Sequence, residues 1–474
     1  MLIVNAEIWG VGCADLRLEN GYISEIGKSL QKNGTSIIDA NHAALLPGLH
    51  DHHMHLLSTA ASLRSVFCGF PKIKTIDQLI ELINTAVPGE DGWIRGVGYH
   101  EAIGVNIDRH WLDRYGPDYP IRIQHRSGAA WIFNSQGLDK IGLSRKDTSK
   151  LGDKNLFSNG IEHSADGSLT GRLFHMDKWL ADQMAVIMPS LAHVSQMLAG
   201  FGVTGITDAT PRNGPEEFRL ITSAQSKGEL MQRVTLMGNE HLEAIISDIQ
   251  TVGSRKIYLK ESQLPGFEEL VCDIQMAHKQ DRSVAFHCVT RTELIYALSC
   301  LKAADSDIGY CDRIEHASIA DTDSLQLLAD TDVTVVTQPN FIYERGDQYL
   351  LQVEAADHHN LYRGKSFLDA GIPLAAGTDA PFGDLDPWKA MRAAVERRTA
   401  AGLVLGPKEQ LTPEQALSLF LGSAEDPGVG DRTIEVGEPA DLCLLDKPWS
   451  SARKDLHSGL VRATICGGKF IYQR

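Results

Sequence analysis

Eight short apolar runs recur along this chain, and helical segments separate or follow most of them. They are Leu49–His55, Val203–Asp208, Arg233–Met237, Lys256–Lys260, Val284–Cys288, Arg313–His316, Val333–Gln338 and Pro373–Thr378. Runs of this length read as buried strands. Their alternation with helices such as Phe267–Lys279, Thr292–Ala303 and Thr412–Leu421 reads as a parallel α/β fold. Eight is the number of strands that closes a (β/α)8 barrel, so a TIM-like barrel is the predicted architecture. Such a barrel presents every strand's C-terminal end to one face, where side chains far apart in sequence meet.

One spacing departs from this pattern. About 145 residues separate the first run from the second. Setting aside roughly 130 of them as an insertion leaves a body of about 250 residues, an ordinary barrel length. The insertion, residues 58–188, carries polar and aromatic clusters at Trp93–Glu101, Ile121–Ser135 and Gly160–His175. Insertions that follow barrel strands rise from the catalytic face, so this one is expected to roof the site and shape substrate choice. Residues 1–48 and 428–474 read differently, as short strands and turns. Examples are Met1–Ile8, Asp15–Glu19 and Tyr22–Ile26 at one end, with Asp441–Leu445, Leu460–Ile465 and Phe470–Tyr472 at the other. The two ends are expected to pair into one small β-sandwich domain beside a barrel domain spanning residues 49–427.

Composition narrows the class of partner. The 474 residues carry a net charge of −16, from 45 basic and 61 acidic side chains. That balance argues against nucleic acid or an anionic membrane as a main partner and does not choose a substrate, because surface carboxylates mostly serve solubility. Met1–Gly10 lacks the basic start and long apolar core of a signal peptide. No apolar run is long enough to span a bilayer. The eight cysteines show no Cys-x-x-Cys spacing. They read as reduced core residues of a cytoplasmic protein.

The strand ends carry the chemistry. His53 and His55 lie one residue apart at the end of the first run, so on an extended strand they point the same way. Together they could bind one divalent metal. His50 and His52 form a second such pair of opposite parity. Lys256 lies on the fourth run, His287 ends Val-Ala-Phe-His on the fifth, His316 ends Arg-Ile-Glu-His on the sixth, and Asp379 follows Ala-Ala-Gly-Thr on the eighth. Singly, each has an ordinary reading: a satisfied structural His, a solvated Lys, an Asp in a turn. The barrel makes all of these groups converge, which structural accident explains poorly.

At these residues the chain resembles the metal-dependent amidohydrolase superfamily. Pro47-Gly48-x-x-Asp51-x-His53-x-His55 is similar to its opening signature. The branch it resembles most is amidohydrolase family 3, whose members include N-substituted formamide deformylases. The shared stretches are Trp93-Ile-Arg-Gly, Asn134-Ser135, Asp166-Gly167-x-x-Thr170-Gly171, Gly202-Val-Thr, Arg313-Ile-Glu-His-Ala, Gln338-Pro339, Gly377-Thr-Asp-Ala-Pro and Gly437-x-Pro-Ala-Asp-Leu. The resemblance implies that His53 and His55, rather than His50 and His52, are first-strand ligands, with Asp51 bracing one of them. It implies a binuclear centre, with two Zn2+ as the expected ions, held by His53, His55, Lys256, His287, His316 and Asp379. Lys256 would act as a CO2-derived carbamate bridging the ions, with Lys260 and Glu261 as alternative bridges. The chain departs from the branch at Gly128-Ala129, where many members carry Gly-His ahead of the Asn-Ser element. The branch's typical substrates therefore do not transfer directly, and His125 or Arg126 could substitute for the missing group.

The implied reaction is hydrolysis of a C–N, amide-like bond by a metal-activated hydroxide, with Asp379 moving the proton. Two other readings stay open. A mononuclear deaminase of a heterocycle would carry His-x-x-Glu after the fifth strand, whereas here His287 is followed by Cys-Val-Thr-Arg-Thr-Glu. An inert barrel scaffold would have lost ligands. Candidate substrate contacts are His125, Arg126, Trp131, Phe341 and Arg345, with Phe133 and Tyr343 as further aromatics; core packing or a surface charge is the ordinary reading of each. The resemblance also makes a dimer or higher homo-oligomer plausible.

Overall fold

All eight predicted runs are strands of one parallel sheet, paired in sequence order. They are Leu49–Met54, Val203–Asp208, Arg233–Gly238, Gln250–Tyr258, Val284–Cys288, Asp312–His316, Val333–Thr337 and Leu374–Ala376. The structure is a computed structural model and describes residues 1–32, 34, 36–70, 72–89, 91–143, 160–184, 190–242, 250–304 and 309–474. Strands such as Val203–Asp208 and Val333–Thr337 are buried along their whole length, as expected for a sheet covered on both faces. Helix Phe267–Lys279 shows why the intervening segments are helical. Leu270, Ile274 and Ala277 recur at helical spacing and are buried. Glu268 and Glu269 open the helix and His278 and Lys279 close it, matching its dipole.

The fourth strand begins earlier than the apolar run suggests. It starts at Gln250 because Gln250–Val252 pair with Val234–Leu236. The Gln-Thr-Val-Gly-Ser stretch has little apolar signal and reads poorly as a strand. Lys256 therefore sits well inside the strand rather than at its start. Lys260 and Glu261 lie beyond it and are exposed.

The barrel closes where the first strand meets the eighth. No backbone ladder joins these two strands among the described residues. The seam is made by the Asp51 carboxylate, which accepts from Thr378 Oγ1 (2.5 Å), Thr378 N–H (3.0 Å) and His53 N–H (3.2 Å). Further along, Asp379 N–H donates to His53 O (2.7 Å) and His55 N–H donates to Ala380 O (2.8 Å). Gly377 permits this approach: a Cβ there would lie 2.3 Å from the His53 nitrogen. Burial pushes the Asp51 carboxyl up to about 6, against the opposing pull of the Thr378 hydrogen bonds.

The chain divides into two compact units, Met1–Leu56 with Leu191–Arg474, and Leu57–Ser190. In the first, both chain ends enter one eight-stranded sheet, joined where Leu442–Leu445 runs antiparallel to Ala44–Pro47. Ile3, Leu16, Leu45, Leu442 and Ile465 belong to its buried core. The second unit is built on a six-stranded sheet. Its order is Ile161–His163, Leu169–Phe174, Ala130–Phe133, Ile121–His125, Ile94–Tyr99 and Val66–Phe67. All eight cysteines are free thiols. Among the described residues no helix is long and apolar enough to cross a membrane.

The seam makes Asp51 a test of barrel closure. Asp51→Ala leaves three buried donors without an acceptor and is expected to cost about 3 kcal/mol. Urea unfolding of the variant should show a clearly lower midpoint, and an unchanged midpoint would remove Asp51 from this role.

Candidate metal centre

His53, His55 and Asp379 meet directly across the seam. Asp379 Oδ1 lies 3.5 Å from His53 Nε2 and 3.2 Å from His55 Nε2. On the neighbouring strands, His287 Nδ1 is 3.0 Å from His316 Nε2. The His53 and His316 rings are 4.9 Å apart, which joins the two groups. Lys256 is buried beside them, with Nζ 3.9 Å from Glu315 Oε1, beyond hydrogen-bond distance. The structure thus brings together His53, His55, Lys256, His287, His316 and Asp379. It keeps Lys260 and Glu261 at the surface, where Glu261 Oε1 accepts from Thr292 Oγ1 (3.1 Å).

The residues behind the imidazoles decide what the rings can bind. His53 Nδ1 contacts Glu315 Oε2 at short range. His55 Nδ1 is 2.8 Å from Thr210 Oγ1, and His316 Nδ1 is 2.6 Å from Gln338 Oε1. Glu315 and the Gln338 amide oxygen are acceptors, so the protons of His53 and His316 belong on Nδ1 and their Nε2 lone pairs face inward. The Thr210 hydroxyl can play the same part for His55. The Nε2 atoms of His53 and His55 face Asp379 Oδ1, and these three groups could hold one cation in place of the contacts they make with one another.

Burial and charge agree with that fit. Burial pushes His316 down to about 3 and His287 well below the ordinary imidazole range, keeping both neutral and able to ligate. Asp379 is opposed by burial, yet its contacts with His53 and His55 hold it well below the usual carboxylate range. Asp379 Oδ1 and Lys256 Nζ are buried polar atoms without a hydrogen-bond partner. Burial lowers the Lys256 ammonium to about 8, partly offset by Glu315. A buried amine whose charge burial disfavours, beside a buried carboxylate oxygen without a well-formed hydrogen bond, suits an anionic bridge and a divalent ion.

The backbone is also unusual here. His316, Ala317 and Asp379 have φ of 73°, 43° and 55°, in the left-handed region. Each such non-glycine residue costs about 1–3 kcal/mol, and such residues cluster at functional sites.

The two histidine pairs of the first strand separate cleanly. His50 and His52 stack on each other, with centroids 4.5 Å apart and planes at 25°, and His50 Nε2 is 2.9 Å from Thr207 Oγ1. The register slips by one residue between Asp51 and Met54, a bulge that interrupts strict alternation between the pairs. Arg313 Nη2 donates to His52 O at this bulge (2.7 Å) while its Nε holds Glu315 Oε1 (3.0 Å).

The predicted substrate contacts divide between the two units. In the first, Phe341 is buried and the Arg345 guanidinium carbon lies 3.7 Å from its ring centroid. Tyr343 is exposed. In the second unit, Phe133 is core and Trp131 Nε1 donates to Asp177 Oδ1 (2.9 Å). His125 lies 3.2 Å from Glu101, near His100, and the Arg126 charge bears on His100. His100, Glu101 and His125 could be taken for a second cation site, but their protons argue otherwise. His100 Nδ1 accepts from Ala102 N–H and His125 Nδ1 from Ser127 N–H, each 3.1 Å. A neutral ring whose Nδ1 accepts carries its proton on Nε2 and has no second lone pair to give.

Sequence reasoning missed Glu315, Thr210 and Gln338 as partners of the ligands. The quoted Arg-Ile-Glu-His and Gln-Pro stretches already contained two of them. It also missed Tyr258, exposed and tilted over His287 at 4.4 Å, and Phe382, whose ring meets His55 edge-on at 5.4 Å. Thr210→Val removes the His55 partner with little change of volume. It is expected to weaken divalent-metal retention about tenfold, read by chelator competition, with the unfolding midpoint unchanged.

Comparison with known proteins places this arrangement. The model of the amidohydrolase family matches residues 36–472. An N-substituted formamide deformylase of Arthrobacter pascens is 26% identical, covering 100% of this chain and 98% of that protein. The putative amidohydrolase YtcJ of Bacillus subtilis is 24% identical over 93% of this chain and 91% of its own length. The crystal structure of an uncharacterized metal-dependent hydrolase from Pyrococcus horikoshii OT3 superposes with a TM-score of 0.75, at 20% identity and 99% coverage of both chains. With the family's match running through nearly the whole sequence, from the terminal sheet through the barrel and back, this chain belongs to the amidohydrolase family.

Proposed function

We propose that this chain hydrolyses a carbon–nitrogen, amide-like bond of a small molecule at a centre built from His53, His55, Lys256, His287, His316 and Asp379. The observation that carries this reading is the cluster of His53, His55 and Asp379, whose ligand atoms all lie within 4.8 Å of one another. The full-length similarity to an N-substituted formamide deformylase supports an amide rather than an ester or phosphate as substrate.

When bound, two divalent cations, zinc being the expected ion, would acidify a water and polarise the substrate carbonyl. His53, His55 and Asp379 would hold one ion, and His287 and His316 the other. Lys256 would bridge them as a carbamate, which turns a buried amine into a pair of anionic oxygen ligands. Asp379 is placed to take the proton of the attacking water and return it to the leaving nitrogen, since its Oδ1 has no other partner. Glu315, held by Arg313 and turned toward His53, keeps that ring's proton on Nδ1 throughout.

Glu293, the first acid after His287, supports hydrolysis over heterocycle deamination. Its Oε1 accepts from Glu261 N–H (2.9 Å), and its Oε2 from Val289 N–H (2.8 Å) and Thr290 N–H (3.0 Å). Both oxygens are thus spent on backbone. Ligand retention argues against an inert scaffold.

Metal analysis of purified protein should find two ions per chain. One ion would favour the mononuclear deaminase and none the scaffold. Asp379→Asn should keep most of the metal and lower kcat about 1,000-fold on a good amide substrate. Lys256→Met should bind at most one ion, whatever the bicarbonate supply. Near-wild-type turnover by the Asp379 variant would take that residue out of the mechanism.

A further inference from the structure

Helix Asn340–Gln352 begins just after the seventh barrel strand, and its first residues are tied to the metal centre. Gln338 holds His316, and Asn340 Nδ2 donates to Thr378 O (3.0 Å). One turn on, Arg345 stacks over Phe341, as residues four apart on a helix can. Its Nη2 donates to Phe382 O (2.7 Å). Phe382 N–H in turn donates to Asp379 O (2.8 Å), and the Phe382 ring meets His55. The guanidinium is therefore fastened to the turn that carries Asp379.

Its charge lacks a direct counter-ion. Among the described residues no carboxylate oxygen pairs with Arg345, and one carbonyl is its sole hydrogen-bond partner. An arginine has five N–H donors. Other arginines of this unit are better satisfied. Arg397 donates to Leu405 O, Tyr362 O and Leu361 O, and Arg363 pairs with Glu409. The adjacent acid, Glu344, turns instead to Asp384 N–H (3.0 Å) and Asn340 Nδ2 (3.2 Å), and burial pushes it up to about 7. Phe341 lies against the guanidinium, and Tyr349, Tyr362, Asp379 and Glu344 are near enough for their charge to bear on it. A planar cation with unspent donors in an aromatic setting matches a carboxylate, which it can take with two parallel hydrogen bonds.

We propose that Arg345 receives a carboxylate of the substrate, so that the chain acts on amides bearing an anionic group, N-acyl amino acids being the type. This rests on the amide-hydrolase reading above and adds the substrate class to it. The competing role is a clamp, in which Arg345 only steadies the Phe382 turn. The two differ in what they do to matched substrates.

Metal-loaded wild type, Arg345→Gln and Arg345→Lys are assayed on N-formyl and N-acetyl phenylalanine and on their decarboxylated partners, the 2-phenylethyl amides. Wild type should favour the acids. Arg345→Gln can still reach a carbonyl but has no charge, and should raise KM for the acids about 30-fold more than for the neutral amides. Arg345→Lys should recover part of that loss. Equal or preferred turnover of the neutral amides by wild type, or an equal loss on both members of a pair in Arg345→Gln, overturns the inference and leaves amide hydrolysis standing. No turnover of any pair by metal-loaded wild type overturns the amide reading, and this inference with it.

Discussion

The Asp51 carboxylate is the point on which the rest of the site depends. A parallel barrel must join its last strand to its first, and here one buried side chain and two backbone hydrogen bonds make that join without a regular ladder. The strands on either side of the seam carry His53, His55 and Asp379. Closure and assembly of the candidate ligands are therefore one event. An ionised carboxylate is costly to bury unless its oxygens are satisfied, and Thr378 with two backbone N–H groups does so.

Behind the ligands runs a second set of contacts that gives them direction. Arg313 holds Glu315 and the His52 carbonyl, Glu315 holds His53, and Lys256 lies against the same carboxylate. Burial alone would raise Glu315. Arg313, Lys256 and His53 instead hold it well below the usual carboxylate range, so it stays an acceptor. The same economy recurs at Thr210 and Gln338. His53, His55 and His316 are each held from behind by a side chain in or just past a different strand, which fixes the ring.

Much of this was legible in the sequence because it is local. Runs such as Val284–Cys288 and Val203–Asp208 match the strands at both ends, since continuous apolar sequence and burial on both faces are the same fact. Helix Phe267–Lys279 was equally plain from its periodicity. The fourth strand was misjudged because its first half is polar and is a strand only by pairing with Arg233–Gly238. At the site, His53, His55, His287, His316 and Asp379 stood out by residue type at strand ends. Thr210 and Gln338 did not, because a hydroxyl and an amide at loop starts have no chemical signature until a ring nitrogen is placed against them.

The sequence by itself determined the barrel, the family resemblance and the residue types offered to a metal, since these follow from periodicity and from motifs a few residues long. Only the tertiary structure showed that Lys256 is buried beside the histidines while Lys260 and Glu261 are exposed. It also showed what the two histidine pairs, already told apart by parity and resemblance, each contact: His50 and His52 stack on each other, and His53 and His55 face Asp379. It alone set Arg345 against the turn that carries Asp379, with a carbonyl as its hydrogen-bond partner. Burial, register and ion pairing are properties of neighbours distant in sequence, and closure of the barrel is what brings those neighbours together.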